Sequence, residues 1–287
     1  MKEVVFLSGK GGTGKTSVVA SVASLARDKV MVDCDVDAAD LHLILKPVNQ
    51  EKHQFWSGQV ASIDSSKCFQ CGLCATLCRF EAIEGFYIDP VSCEGCGLCV
   101  RLCPFKAINE HDNLSGHWFI SETSYGKMVH ARLGIAEENT GKLVALVREK
   151  ARAIAKADGH NLIISDGPPG IGCPVISSLS GVDLAVIITE PTLSGIYDLE
   201  RVLGVCRHFG VRPLVCINKY DLNEDNTRGI ENYCQEQGVE AIGRIPFDIV
   251  VTEAMVHGLP VVEYSQGRVS QEIANLWQSV ERVIALE

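Results

Sequence analysis

One short turn constrains the fold of this chain more than any other stretch: Gly9-Lys10-Gly11-Gly12-Thr13-Gly14-Lys15-Thr16. Gly9, Gly14, Lys15 and Thr16 satisfy the G-x-x-x-x-G-K-[ST] spacing of a phosphate-binding loop. Glycines let consecutive backbone N–H groups curl around anionic oxygens, and the positive end of a following helix points at the same place. That chemistry needs a strand to deliver the loop and a helix to leave it. The uninterrupted apolar run Val4-Val5-Phe6-Leu7 predicts a buried strand, and residues 17–27, rich in Ala, Val and Leu, predict a helix. In such a loop Lys15 reaches the β- and γ-phosphates and the Thr16 hydroxyl holds Mg²⁺. Gly11, Gly12, Thr13, Gly14 and Ser17 are the remaining expected contacts to the nucleotide.

The strand–helix alternation continues through most of the 287 residues. A second strand is expected at Val30-Met31-Val32-Asp33, extended segments at 117–120 and 127–131, and a long helix over 140–157. Further strands are expected at 162–165, 184–189 and 213–218, with helices between them. Strands this uniformly apolar are covered on both faces. The fold class is therefore α/β, a mostly parallel sheet flanked by helices. Ligands of such sheets bind at the carboxyl ends of the strands.

Between residues 60 and 112 the rhythm breaks. Eight of the thirteen cysteines fall here: Cys68, Cys71, Cys74 and Cys78, then Cys93, Cys96, Cys99 and Cys103. Each set reads C-x₂-C-x₂-C-x₃-C, and the block recurs 25 residues on, so that Phe80, Ala82 and Ile83 return as Phe105, Ala107 and Ile108. No secretory signal is read at the start of the chain, and thiols this dense in a cytosolic setting argue for metal rather than disulfides. The block resembles bacterial two-cluster ferredoxins. That resemblance implies two [4Fe-4S] clusters, in which the fourth cysteine of each run serves the other cluster. Cluster one then takes Cys68, Cys71, Cys74 and Cys103, and cluster two takes Cys78, Cys93, Cys96 and Cys99. Pro104 follows the last cysteine as the pattern expects, but Arg79 replaces the proline after Cys78. A positive charge there favours the reduced state, so the second cluster is expected at the higher potential. Paired C-x₂-C units also suit Zn²⁺, and clusters also staple small domains. Three cysteines at x₂ spacing plus a fourth at x₃, twice over, favour cubanes.

The nucleotide motifs together resemble the MinD/ParA/Mrp and nitrogenase-iron-protein superfamily, whose deviant Walker A loop carries a second lysine where this chain has Lys10. The resemblance implies an ATP-sandwich dimer, a homodimer or a heterodimer with a homologous ATPase, in which Lys10 reaches the partner subunit's nucleotide. Lys10, Lys15 and Asp35 are then the catalytic set. Asp35, in Asp33-Cys34-Asp35-Val36-Asp37, matches the switch I aspartate that orients the attacking water. Asp37 and Asp40 lie close by, and either suits a helix cap. Asp166, in Asp166-Gly167-Pro168-Pro169-Gly170, resembles the Walker B and switch II carboxylate, so Thr16, Asp35 and Asp166 are the expected Mg²⁺ residues. In relatives an asparagine placed like Asn218 reads the adenine edge, and Pro246 and Phe247 resemble a later base-contacting loop. A polar turn also explains Asn218. Cys173 lies seven residues after Asp166, as does a cluster ligand of the nitrogenase iron protein, but no companion cysteine stands between Cys103 and Cys173. Cys173, Cys34, Cys206, Cys216 and Cys234 are expected as small buried thiols.

The expected organisation is a discontinuous ATPase domain, 1–59 and 113–287, interrupted by a ferredoxin domain at 60–112. A net charge of −10 disfavours nucleic acid, which calls for clustered Lys and Arg. No apolar stretch spans a bilayer, and residues 270–286 place Ile273, Leu276, Trp277, Val280 and Val283 on one helical face for packing on the body. The chain is expected in the cytoplasm, with ATP or ADP, Mg²⁺ and two clusters as cofactors and a redox protein as partner. The expected function is an ATP-gated electron-transfer protein. A cluster carrier of the Mrp type and a MinD- or ParA-like positioning ATPase with redox-sensing clusters are the alternatives.

Overall fold

In the computed structural model, which describes residues 1–134 and 139–286, the apolar runs become strands buried on both faces. Residues 135–138 and 287, which fall in the expected ATPase domain, lie outside the described residues. The chain opens with β1 (Lys2–Ser8), the glycine-rich loop, α1 (Lys15–Leu25), β2 (Lys29–Asp33) and the short α2 (Leu41–Leu45). The long β3 (Val48–Ile63) leads into the cysteine block, which carries α3 (Leu73–Leu77), β4 (Ile83–Glu84), β5 (Tyr87–Ile88) and α4 (Leu98–Leu102). Next come β6 (Ile108–Thr123), β7 (Gly126–Leu133), α5 (Thr140–Asp158), β8 (Leu162–Pro169) and α6 (Cys173–Leu179). Then follow β9 (Leu184–Thr189), α7 (Leu193–His208), β10 (Arg212–Asn218), α8 (Glu224–Glu236) and β11 (Glu240–Ile245). Three helices close the chain: α9 (Val250–His257), α10 (Val261–Tyr264) and α11 (Arg268–Leu286).

Two compact units emerge. Met1–Lys52, Trp118–Ala131 and Thr140–Glu287 form the first, and His53–His117 with Arg132–Asn139 form the second. The second unit takes in more chain than the cysteine block, because β3 and β6 extend well beyond the outermost cysteines.

Strand order in the main sheet is β11-β10-β9-β1-β8-β2-β7-β6-β3. The pairs from β11 across to β7 are parallel. Alternation along β1 divides the core of the first unit. Val4 and Phe6 join Val18, Val19, Leu276 and Trp277 on one face. Val5 and Leu7 join Leu199, Val202 and Ile230 on the other. Each such side chain contributes roughly 1.5–3 kcal/mol by leaving water. On α11 the expected face Ile273, Leu276, Trp277, Val280 and Val283 is buried. Among the described residues no helix is long and apolar enough to cross a membrane.

The strand order matters because β10, β9, β1, β8 and β2 all end on the same edge. Lys219, Glu190 and the glycine-rich loop lie just after the ends of β10, β9 and β1, Asp166 lies within the last half of β8, and Asp33 is the last residue of β2, in that spatial order. The second unit is small. Ala61, Ile83, Ile88 and Ile108 form its buried cluster, with Cys74, Cys78, Cys93, Cys99 and Cys103 packed against it. Its β4–β5 hairpin pairs Ile83 with Ile88.

Candidate functional site

The loop after β1 lines an open cleft of about 780 Å³ with Gly11, Gly12, Thr13, Gly14, Lys15, Thr16 and Ser17. Gly12 (φ 78°) and Gly14 (φ 86°) adopt the left-handed conformation that turns successive N–H groups inward. At Gly14 the positive φ strains any other residue, and a Cβ there would also press to 2.3 Å on Asn218 Nδ2 and displace that amide. α1 begins directly at Lys15 with no side-chain cap, so its first N–H groups remain for an anion.

Three carboxylates face Lys15. Its buried Nζ donates to Asp166 Oδ1, with the two side chains 6% and 1% exposed. Parallel register sets Asp33 beside Asp166, and the Cys34 N–H donates to the Asp166 carbonyl at 2.8 Å. Asp33 Oδ1 accepts from the Asp35 N–H at 3.1 Å, while its Oδ2 is buried without a partner among the described residues. Burial, and then the negative charge of Asp166, raise Asp33 well above the usual carboxylate range. Burial pushes Asp35 up to about 6 against the pull of Lys15, and Asp166 adds to the push. Carboxylate oxygens are the donors that a hard divalent cation takes. Asp35 and Asp40 both line the cleft. Asp40 makes no side-chain cap to α2, and Asp37 Oδ1 accepts from Thr140 Oγ1 at 3.4 Å.

Lys10 folds onto its own chain. Its Nζ lies 2.7 Å from Glu190 Oε1 and donates to Ser194 Oγ at 2.8 Å and Thr192 Oγ1 at 3.2 Å. The other Glu190 oxygen takes Lys219 Nζ at 2.9 Å, and that ammonium also donates to the Gly12 carbonyl at 2.9 Å. Burial raises Glu190, but the bonds from Lys10 and Lys219 outweigh it and hold the carboxyl below its ordinary range. Asn218 Nδ2 donates to the Thr13 carbonyl at 2.6 Å, so the end of β10 grips two successive loop carbonyls. Pro246 is buried. Phe247 is 53% exposed, and its N–H donates to Asp221 Oδ1 at 2.7 Å.

In the second unit the eight thiols line two cavities. Cys68, Cys71, Cys74 and Cys103 border the first, of about 430 Å³, together with Cys99. Cys78, Cys93, Cys96 and Cys99 border the second, of about 350 Å³. Gly72 (φ 74°) and Gly97 (φ 69°) open α3 and α4 beside these thiols. Cys103 Sγ accepts the Ala107 N–H at 3.3 Å, a bond that stabilises a thiolate. Burial raises Cys74 and Cys99 above the usual thiol range, opposed mainly by neighbouring backbone N–H groups. Four soft donors around a cavity suit a thiolate-held cluster. Among the described residues no three His, Cys, Asp or Glu side chains converge on a single-ion site.

A family model for the CobQ/CobB/MinD/ParA nucleotide binding domain matches residues 4–261. The chain belongs to this family. An uncharacterized protein of Methanocaldococcus jannaschii is 33% identical to this MinD/ParA-type chain, over 98% of it and 97% of the relative. The septum site-determining protein MinD of Pyrococcus horikoshii, solved with Mg-ADP, superposes at a TM-score of 0.61 with 19% identity. That match covers 99% of this chain and 98% of the other, and at this identity it shows the fold. An iron-sulfur cluster carrier protein of Pyrococcus horikoshii is 27% identical over 43% of this chain and 46% of its own.

Within this MinD/ParA-type domain the loop residues 11–17 and Asp35 share one cleft, with Asp166 bonded to Lys15. Lys10 instead lies in the Glu190 pocket, and Asn218 braces the loop. Asp33, Glu190, Lys219 and Met255 escaped the sequence reading. Met255 lines the cleft and accepts from Ser17 Oγ at 3.2 Å. Asp33, Glu190 and Lys219 carried a signal, because each is a charge at the carboxyl end of an apolar strand. Met255 carried none. Cys34, Cys206, Cys216 and Cys234 are buried as expected, but Cys173 is exposed. It opens α6 from the loop after β8, ahead of the apolar turn that the helix buries.

Proposed function

We propose that this chain is an ATP-binding and ATP-hydrolysing iron–sulfur protein, in which a nucleotide-driven dimer switch is coupled to electron transfer through two [4Fe-4S] clusters. The observation that carries the reading is the sorting of thiols. Each cavity draws cysteines from both repeats, Cys68, Cys71 and Cys74 with Cys99 and Cys103 at the first and Cys93, Cys96 and Cys99 with Cys78 at the second, and the same chain carries a phosphate-type loop. Cluster one is assigned Cys68, Cys71, Cys74 and Cys103, and cluster two Cys78, Cys93, Cys96 and Cys99. When bound, such clusters supply one-electron storage.

The chain's own groups do the rest. Residues 11–17 cradle the triphosphate. Lys15 exchanges Asp166 for phosphate oxygens, and the freed Asp166, with Thr16 and Asp35, holds Mg²⁺. Asp35 orients the attacking water. Lys10, released from Glu190, reaches the nucleotide of a second subunit, whether an identical copy or a homologous ATPase. Asn218, Pro246 and Phe247 meet the base. Gly167 is held to glycine by the Phe6 carbonyl oxygen, which a Cβ would approach to 2.7 Å, so the segment Asp166–Gly170 hinges without a side chain there.

The test is anaerobic purification with iron, sulfide and zinc counting, then spectra of the reduced protein with ATP, with ADP and alone. About eight irons per chain and nucleotide-dependent spectra or electron-delivery rates are expected. Zinc in place of iron, or no affinity for Mg·ATP, removes the reading. A second reading, a cluster carrier of the Mrp type, is favoured by the partial match to the Pyrococcus carrier. Rapid transfer of iron to an apo-acceptor selects it.

A further inference from the structure

The internal repeat offers its own control, because each position in the first half has a counterpart 25 residues later. Phe69 corresponds to Glu94, Thr76 to Arg101, and Gly85 to Glu110. The substitutions are not distributed evenly between the cavities. Phe69 lines the first, where its ring meets Phe105 at 4.5 Å between centroids, and none of the residues lining that cavity is charged. Glu94 and Glu110 both line the second.

The paired glycines show how close one of these charges comes. A Cβ on Gly72 would meet nothing within 4 Å, whereas on Gly97 it would stand 2.5 Å from Glu110 Oε1. Gly97 sits between Cys96 and the helix that carries Cys99, so the Glu110 carboxylate lies directly over the ligand loop. Arg101 Nε stands 3.9 Å from the same point and opposes it in part. The Arg79 guanidinium lies over the Phe80 ring at 5.0 Å and does not line the cavity.

We propose that Glu110, supported by Glu94, makes the two thiol cavities electrochemically unequal and sets the second below the first in reduction potential. This rests on the iron–sulfur reading above. Adding an electron to a site makes it more negative, and a nearby carboxylate disfavours that step. An electron given up at the second site is therefore taken up at the first, with no bond made or broken. The order is the reverse of the one that Arg79 suggested from sequence, because lining carboxylates outnumber lining cations.

The experiment uses the full chain, purified anaerobically and titrated with dithionite while each reduced cluster is followed by electron paramagnetic resonance. Two midpoints are expected. Glu110→Gln raises the lower one and leaves the upper in place, with a shift of about 59 mV for each tenfold change in the oxidised-to-reduced ratio. Glu94→Gln moves the same midpoint upward, and Arg101→Gln moves it downward. Both midpoints unmoved in Glu110→Gln and Glu94→Gln, or both moved equally, would overturn the proposal while leaving iron content, and the iron–sulfur reading, intact. Absence of iron and sulfide from the parent chain would overturn both.

Discussion

Glu190→Gln isolates the contact that keeps Lys10 on its own chain. The carboxylate divides its two oxygens between two ammonium groups, Lys10 at 2.7 Å and Lys219 at 2.9 Å. A charge-assisted hydrogen bond of this kind is worth about 1.5–3 kcal/mol, a neutral one about 0.5–1.5 kcal/mol. Glutamine keeps the shape and loses the charge, so the grip on Lys10 should weaken by about 1–2 kcal/mol. The Lys10 and Glu190 side chains are 31% and 12% exposed, and water screens part of the difference, which favours the lower half of that range. Lys219 keeps its bond to the Gly12 carbonyl, so the loop itself should hold. If dimerisation draws on a released Lys10, the monomer–dimer midpoint measured by sedimentation with a non-hydrolysable ATP analogue should fall about 5- to 10-fold in protein concentration for each Lys10 released, or about 25- to 100-fold where both subunits of a homodimer release theirs. With ADP it should not move. A midpoint that stays put or rises with the analogue would refute the view of Glu190 as a restraint and make it a support for the assembled state.

Three further outcomes follow from two buried groups and one exposed thiol. Replacing Lys15 with Met leaves Asp166 and Asp33 facing each other without a counter-charge, so urea unfolding without nucleotide should show a loss of about 3–5 kcal/mol. Lys15→Met with Asp166→Asn should recover most of it, and a double variant no more stable than the single would count against the pairing. Burial lowers Lys29 from 10.5 to about 8, with Asp28 opposing. The sign follows: below pH 8 the folded chain bears the full cost of a charged buried amine, and as pH rises from 8 towards 10.5 it sheds the proton first and that cost lifts. Wild type should therefore gain on Lys29→Met between pH 7.5 and 9.5 in paired denaturation curves, and parallel curves would contradict this. Cys173→Ser should leave iron and sulfide content unchanged while removing one fast-reacting thiol from the native chain, because Cys173 is exposed and lines neither thiol cavity.

The strands that build the nucleotide cleft were legible because each is a short run with no polar interruption, as in Leu184–Thr189, where every residue is buried. β3 was not. Its sixteen residues include Gln50, Glu51, Lys52 and Gln54, and only Phe55 and Ala61 are buried, so no apolar run or clean alternation marks it. The strand ends the row in the sheet, where charge on the outer edge discourages further pairing. β11 escaped for a related reason, being the other edge strand with only Ile245 buried. At the site, spacing carried everything that the loop backbone does, since glycine positions and the Gly-Lys-Thr run fix that geometry locally. It carried nothing about Glu190. The 180 residues between Lys10 and Glu190 are brought together only by β9 pairing alongside β1.

That adjacency gives the cleft its character. Every lysine near the loop is already engaged: Lys15 by Asp166, Lys10 and Lys219 by Glu190. Among the described residues these three lysines are all paired, so polyphosphate binding would be an exchange in which lysines trade carboxylates for phosphate oxygens. The exchange is unfavourable if it stops there, because Asp166 is left buried beside Asp33 and Asp35, both already pushed towards the neutral form. A divalent cation arriving with a nucleotide would give those oxygens a new partner. The ion pairs therefore make the cleft an internally neutralised arrangement with a defined alternative. Two such arrangements, one internally neutralised and one neutralised by the ligand, are what a nucleotide switch needs if binding energy is to be converted into movement of the segments that carry Lys10 and Asp166.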